Sequence, residues 1–129
     1  MIVDASALVE WLLGTARGGR VHARLREEHG RLHAPALLDI EVTSGLRRAE
    51  LEGRVTPGRA RLAVEMLLEL DLTRHPIPPL VARVWDLRHA LSAYDATYVA
   101  LAEALDMSVL TCDARMARSH GGSAEVHLV

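Results

Sequence analysis

The chain has 129 residues and a mass of 14.1 kDa, the length of one domain, and with half its residues hydrophobic and a quarter charged it can bury a core. Its single cysteine, Cys112, excludes a disulfide scaffold and a cysteine-based zinc site, and no apolar run reaches the ~18 residues that a membrane helix needs. The net charge of −2 is unlike that of a generic basic nucleic-acid binder, and all fifteen basic residues are arginine, so the phosphate lysine of a P-loop and the lysine of a phosphoacceptor receiver are both missing.

The apolar run Ile2-Val3 ends in Asp4 and reads as a buried strand. Ser6 then caps a helix through Leu8, Leu12 and Leu13 that stops near Gly14. A second helix is expected over 17–29, with Val21 and Leu25 inward and Gly30 ending it. Leu32-His33-Ala34 is a weak strand that Pro35 should close, followed by a long helix over 36–52. Thr56-Pro57 has the form of an N-cap and first turn, opening a helix to about residue 70. The third strand falls over 72–77, and Pro78-Pro79 opens a helix in which Leu80, Val84 and Trp85 are core candidates, with Met66, Leu67 and Leu70 from the helix before.

Ser92 caps the next helix, over 93–105; a strand over 107–112 leads to Asp113 and a short helix toward Gly121-Gly122, and Val126-His127-Leu128 is the last strand. Strands alternating with helices imply α/β architecture: a three-layer α/β/α sandwich on a short parallel sheet of four or five strands. The amino terminus MIVDAS lacks the basic start and long apolar stretch of a signal peptide, so the expectation is a soluble cytoplasmic protein, a single domain over 1–129 with no membrane association.

Four carboxylates stand where carboxylates are unusual. Asp4 and Asp113 each follow an apolar strand, and in an open parallel sheet the carboxyl ends of the strands form the ligand crevice. Each also suits the N-cap of the helix it precedes. Glu41 lies on the stripe of Leu37, Leu38, Val42, Gly45 and Leu46, the side of its helix that should be buried, where a lone carboxylate costs several kcal/mol. Asp95 shares a face with Tyr98, Val99 and Ala102, although Ser92-Ala93-Tyr94-Asp95 also fits a capping box. One economical reading covers all four: they converge. Converging carboxylates repel unless a cation compensates them, and an all-oxygen set suits Mg²⁺ or Mn²⁺. A bound water acidified by such an ion, beside a phosphate whose charge the ion stabilises, points to phosphodiester hydrolysis.

The segments IVDASALV, PALLDIEVTSGL, SAYDATYVALAEAL and VLTCDARMA resemble, in order and context, the PIN domain, and most of all the VapC-type toxins of toxin–antitoxin pairs. The resemblance implies an α/β/α sandwich, a Mg²⁺- or Mn²⁺-dependent endoribonuclease, an RNA substrate, a dimer of toxins and a cognate VapB-type antitoxin that blocks the site. It makes Asp4, Glu41, Asp95 and Asp113 the catalytic quartet, with Asp4, Asp95 and Asp113 on the metal. Glu41 would bind through a water or orient the attacking one. Ser6 and Thr111 fall where the family carries supporting hydroxyls. The further acid that many members place after the last one is absent, since Ala114, Arg115 and Met116 follow Asp113.

Arg17, Arg20 and Arg24 share one helical face, and Arg115 and Arg118 follow the last acid; together they are candidates for an RNA backbone, because guanidinium forks fit phosphate. Arg47 and Arg48 lie on the exposed side of the Glu41 helix. Base stacking has few aromatics to use, with Trp11 the candidate. The seven histidines read as surface or structural residues, and Cys112 as a small buried apolar one. A catalytically silent PIN-like module that binds a protein or RNA is the alternative. A haloacid-dehalogenase-like phosphatase fits less well, since the acid it needs two residues after Asp4 is Ser6.

Overall fold

A computed structural model describes residues 1–27, 31–118 and 121–129. The expected stop at His29-Gly30, and His120 in the last short helix, lie outside these. The chain runs β1 (Ile2–Val3), α1 (Ala5–Leu13), α2 (Ala16–Glu27), β2 (Leu32–Pro35), α3 (Leu38–Leu51), α4 (Pro57–Glu69) and β3 (Leu72–His75). A 3-10 turn (Pro78–Leu80) then leads into α5 (Val81–Asp86), α6 (Ala93–Leu105), β4 (Val109–Thr111), α7 (Ala114–Arg118) and β5 (Val126–Leu128).

The five strands are parallel, in the order β3-β2-β1-β4-β5. Ile2 pairs with His33 on one side and Val109 on the other, and Val109 pairs in turn with Val126. The chain steps one way from β1 to β3, then crosses to β4 and steps the other way. Right-handed crossovers therefore put α1–α4 on one face and α5–α7 on the other, which makes the three expected layers. β1 and β4 are neighbours whose connections leave in opposite directions, so the topological switch point lies between them. Asp4 and Asp113 sit at that point, just past the ends of those two strands.

The core is aliphatic apart from Tyr98, with Ile2, Leu8, Leu12, Leu38, Leu46, Leu67, Leu110 and Met116 fully buried. Thr56 and Ser92 cap α4 and α6 as the sequence predicts, accepting from the amides of Arg59 and Asp95. Other expectations are corrected. Asp4, not Ser6, is the N-cap of α1 and accepts from the Ser6 amide. Pro35 extends β2 rather than closing it, pairing with His75 as the last residue of the strand, where its missing N–H costs little. Trp85 and Met66 are not core: Trp85 is 66% exposed, with the Arg88 guanidinium 4.6 Å from its ring centre, and Met66 is 38% exposed. The α5 helix is six residues long, too short for a periodic stripe to define a face, and the buried anchors beside it are Leu80 and Leu87. Cys112 is half-buried rather than buried. His33 and His75 meet, Nδ1 to Nε2 at 2.9 Å, across β2 and β3.

Candidate active site

All four predicted acids line one cleft of about 420 Å³ above the switch point, with Ser6, Ser44, Arg48 and Tyr94 on its walls. Each arrives on a different element: Asp4 from β1, Glu41 from the first turn of α3, Asp95 from the first turn of α6 and Asp113 from the end of β4. Short strands fix the first and last, because two or three paired residues leave no slack before the next helix begins.

Asp4 is nearly buried, at 5% exposure. Its Oδ2 accepts from the Ser6 hydroxyl, the Ser6 amide at 3.3 Å and the Thr111 hydroxyl at 2.8 Å. The two hydroxyls are in turn fixed: the Cys112 amide donates to Ser6 Oγ and the Asp113 amide to Thr111 Oγ1, both at 2.9 Å. Ser6 and Thr111 thus both hold the Asp4 carboxylate. Burial pushes the Asp4 carboxyl above its ordinary range, against the pull of these hydrogen bonds. Asp4 Oδ1 accepts no hydrogen bond among the described residues.

Glu41 is half-buried, and burial raises its carboxyl too, with Asp4 and Asp95 adding to the rise. The Tyr98 hydroxyl opposes it, donating to Glu41 Oε2 at 2.5 Å. Asp95 fulfils only half of the capping box: its amide donates to Ser92, while its carboxylate has no hydrogen bond or ion pair among the described residues. Asp113 behaves differently. It accepts from the Arg115 amide at 2.7 Å and guanidinium at 3.0 Å, which holds its carboxyl below the ordinary range. Asp4 and Asp113 therefore serve both as helix caps and as cleft carboxylates, so the two readings of each residue are not exclusive.

Among the described residues, no three His, Cys, Asp or Glu side chains are grouped to hold a metal ion together. The acids share a cleft without forming a closed ligand set. The physical reason is visible in their partners, since Asp113 is turned to Arg115 and Glu41 to Tyr98. The donor chemistry does fit a hard divalent cation, being all oxygen, with Asp4 Oδ1 and the Asp95 carboxylate uncommitted. Releasing Asp113 costs little, because Arg115 is 83% exposed on its side chain and such surface pairs are weak.

The arginines divide. Arg17 lines a basin beside the cleft, together with Arg48, Arg54 and Cys112. Arg115 and Arg118 line another on the opposite flank, next to Ser92 and Asp95. Arg20 and Arg24 line neither, and Arg24 pairs with Glu27 at 3.0 Å. Trp11 packs near His22, with ring centres 6.0 Å apart, and is not on the cleft; Tyr94, 64% exposed, is the aromatic residue at its rim. The sequence reading missed Tyr94 and Tyr98 as site residues. The available signal was their placement one before and three after Asp95, which puts Tyr94 on the rim and Tyr98 in the core, where it bonds Glu41.

Fold and site together define an open α/β domain with an acidic cleft at its switch point. The PIN domain family model matches residues 1–121. Ribonuclease VapC12 of Mycobacterium tuberculosis is 40% identical over 129 residues, 100% of this chain and 98% of that one. The chain belongs to the PIN-domain family, in its VapC-type branch. Among solved structures, PAE2754 from Pyrobaculum aerophilum superposes with a TM-score of 0.70 at 24% identity, covering 97% of this chain and 81% of that one. A toxin–antitoxin complex from Klebsiella pneumoniae gives 0.66 at 19%, covering 98% and 94%. These two likenesses show that the α/β fold is shared with solved structures.

Proposed function

We propose that this chain, as a single domain over 1–129, is a VapC-type endoribonuclease: the toxin of a toxin–antitoxin pair, dependent on Mg²⁺ or Mn²⁺ and hydrolysing RNA phosphodiester bonds. The observation that carries the reading is the opening of four carboxylates from four separate elements onto one cleft. The name of the VapC12 relative, a ribonuclease, supports it. Asp4, Asp95 and Asp113 would hold the ion, which when bound supplies Lewis acidity and a more acidic water.

The chain's own residues do the rest. Ser6 and Thr111 hold Asp4 through one oxygen and leave the other for the cleft. Glu41, with Oε2 taken by Tyr98, keeps Oε1 to orient an attacking water and accept its proton. Arg48 on the wall, with Arg17 on one flank and Arg115 and Arg118 on the other, would hold phosphates along the strand. Tyr94 offers a face on which a base can stack.

A VapB-type antitoxin, a homodimer and a cytoplasmic location complete the proposal. The solved toxin–antitoxin complex supports an antitoxin partner. A groove of about 470 Å³ between α3 and α4, lined by Leu46, Pro57, Ala60 and Val64 together with Arg47, Glu50 and Arg61, suits an amphipathic antitoxin segment. No helix among the described residues is long and apolar enough to cross a membrane.

The test is cleavage of an RNA panel with Mg²⁺, with chelator, and by Asp95→Asn. Loss of cleavage in the last two supports the reading, and equal cleavage by the variant refutes it. The silent binding module stays as a second reading on one observation, the lack of a closed ligand set. Calorimetric titration with Mn²⁺ separates the two: binding lost in Asp4→Asn together with cleavage favours the enzyme.

A further inference from the structure

Tyr98 is fully buried in α6, and its ring lies in the aliphatic core. Packing alone would be served by phenylalanine. A buried hydroxyl is costly unless bonded, so the reason for tyrosine lies with its oxygen. That oxygen donates to Glu41 Oε2 of α3 at 2.5 Å. One hydroxyl therefore joins α6 and α3, two elements that the cleft must keep in register.

We propose that Tyr98 is a positioning residue for the cleavage reaction, a buried strut that sets the place of the Glu41 carboxylate relative to Asp4. Glu41 emerges near the start of α3, on a long side chain with three rotatable bonds, and Asp4 and Asp95 face the same cleft with like charge. Repulsion would drive Glu41 outward along the open cleft. The Tyr98 bond holds one of its oxygens and leaves the other without a hydrogen bond among the described residues. Ser6 and Thr111 already fix Asp4, so Tyr98 does for the acid on α3 what the two hydroxyls do for the acid on β1. The inference rests on the ribonuclease reading for its activity arm, and on geometry alone for its stability arm.

The experiment uses full-length protein with the variants Tyr98→Phe, Glu41→Ala and the double variant. In metal-free protein the cost of Tyr98→Phe in thermal midpoint should be several degrees with Glu41 present and at most half of that with Glu41→Ala, since the bond is then already gone. Additive losses overturn the strut. On RNA, Tyr98→Phe should lower kcat about tenfold or more with KM changed less than about twofold, and should add nothing to Glu41→Ala. A Tyr98→Phe protein that loses stability but keeps its kcat overturns the positioning role and leaves a merely structural one. A wild-type protein that cleaves no RNA overturns the ribonuclease reading instead, and the stability arm is unaffected by that result.

Discussion

Thr111 donates its hydroxyl proton to Asp4 Oδ2 at 2.8 Å, although 107 residues separate the two in the chain. Both flank the switch point, on adjacent parallel strands, so the bond ties the first acid to the strand that delivers the last. Its loss should register in both stability and chemistry. Thr111→Val keeps the shape and removes the donor; it should cost about 1–2 kcal/mol, a few degrees in thermal midpoint, and lower cleavage about tenfold. Unchanged cleavage with a lowered midpoint would confine Thr111 to the fold.

Asp4 should trade stability for function. Burial raises its folded-state carboxyl above the unfolded value, so its charge weakens the fold as pH rises through that range and remains a burden at neutral pH. Asn is neutral and still accepts from Ser6 and Thr111. Asp4→Asn should therefore raise the midpoint of the metal-free protein by ~3 °C at pH 7. Cleavage should fall by more than about a hundredfold. Calorimetry without metal decides the first part, and a lowered midpoint there would count against it.

Gly18 sets the spacing of two helices. A Cβ built on it would stand 2.1 Å from the Glu10 carbonyl oxygen and 2.9 Å from Trp11 Cα, both backbone atoms of α1 that cannot move alone. Gly18→Ala should force α2 off α1 and cost about 2–3 kcal/mol, the scale of overpacking a tight contact. Because Arg17 is its neighbour, RNA affinity should weaken as well. Denaturant titration and a binding isotherm measure the two effects.

Glu103 should make the fold acid-sensitive. Its carboxylate accepts a fork from Arg83 at 2.7 and 3.0 Å and the Ser123 amide at 2.7 Å, tying α5, α6 and the segment before β5. Arg83 first, then the Ser123 amide, hold it well below its ordinary 4.5, at about 2. A depressed folded-state value means stability that is fully present above pH 4.5 and lost as pH falls toward 2. Glu103→Gln should flatten the fall of the midpoint across that window and lower it only slightly at pH 7, since the Arg83 guanidinium is exposed and screened. An unchanged acid slope would rule Glu103 out as its source.

Much of the site was legible because it follows from local pattern. Glu41 interrupts an apolar stripe at helical spacing, and Asp95 does the same three residues after a capping serine. Those periods of 3.6 belong to the chain, whatever surrounds it. Trp85 and Met66 were misjudged for the converse reason: apolar residues on short or outward helices carry no local mark of which way they face. The Tyr98–Glu41 bond spans 57 residues, and no periodicity encodes it.

The sequence by itself determined the strand-helix alternation, the caps at Thr56 and Ser92, and the presence of four misplaced acids, since each depends on residues within a turn or two. Tertiary structure alone decided which of those acids is free. It gave Asp4 the Thr111 hydroxyl from the far end of the chain, gave Glu41 a buried phenol and left Asp95 uncommitted, whereas Asp113 takes its guanidinium from Arg115, two residues on. A carboxylate's charge and reach are set by what lies within a few ångströms, and that neighbourhood exists only after the sheet has brought distant segments side by side.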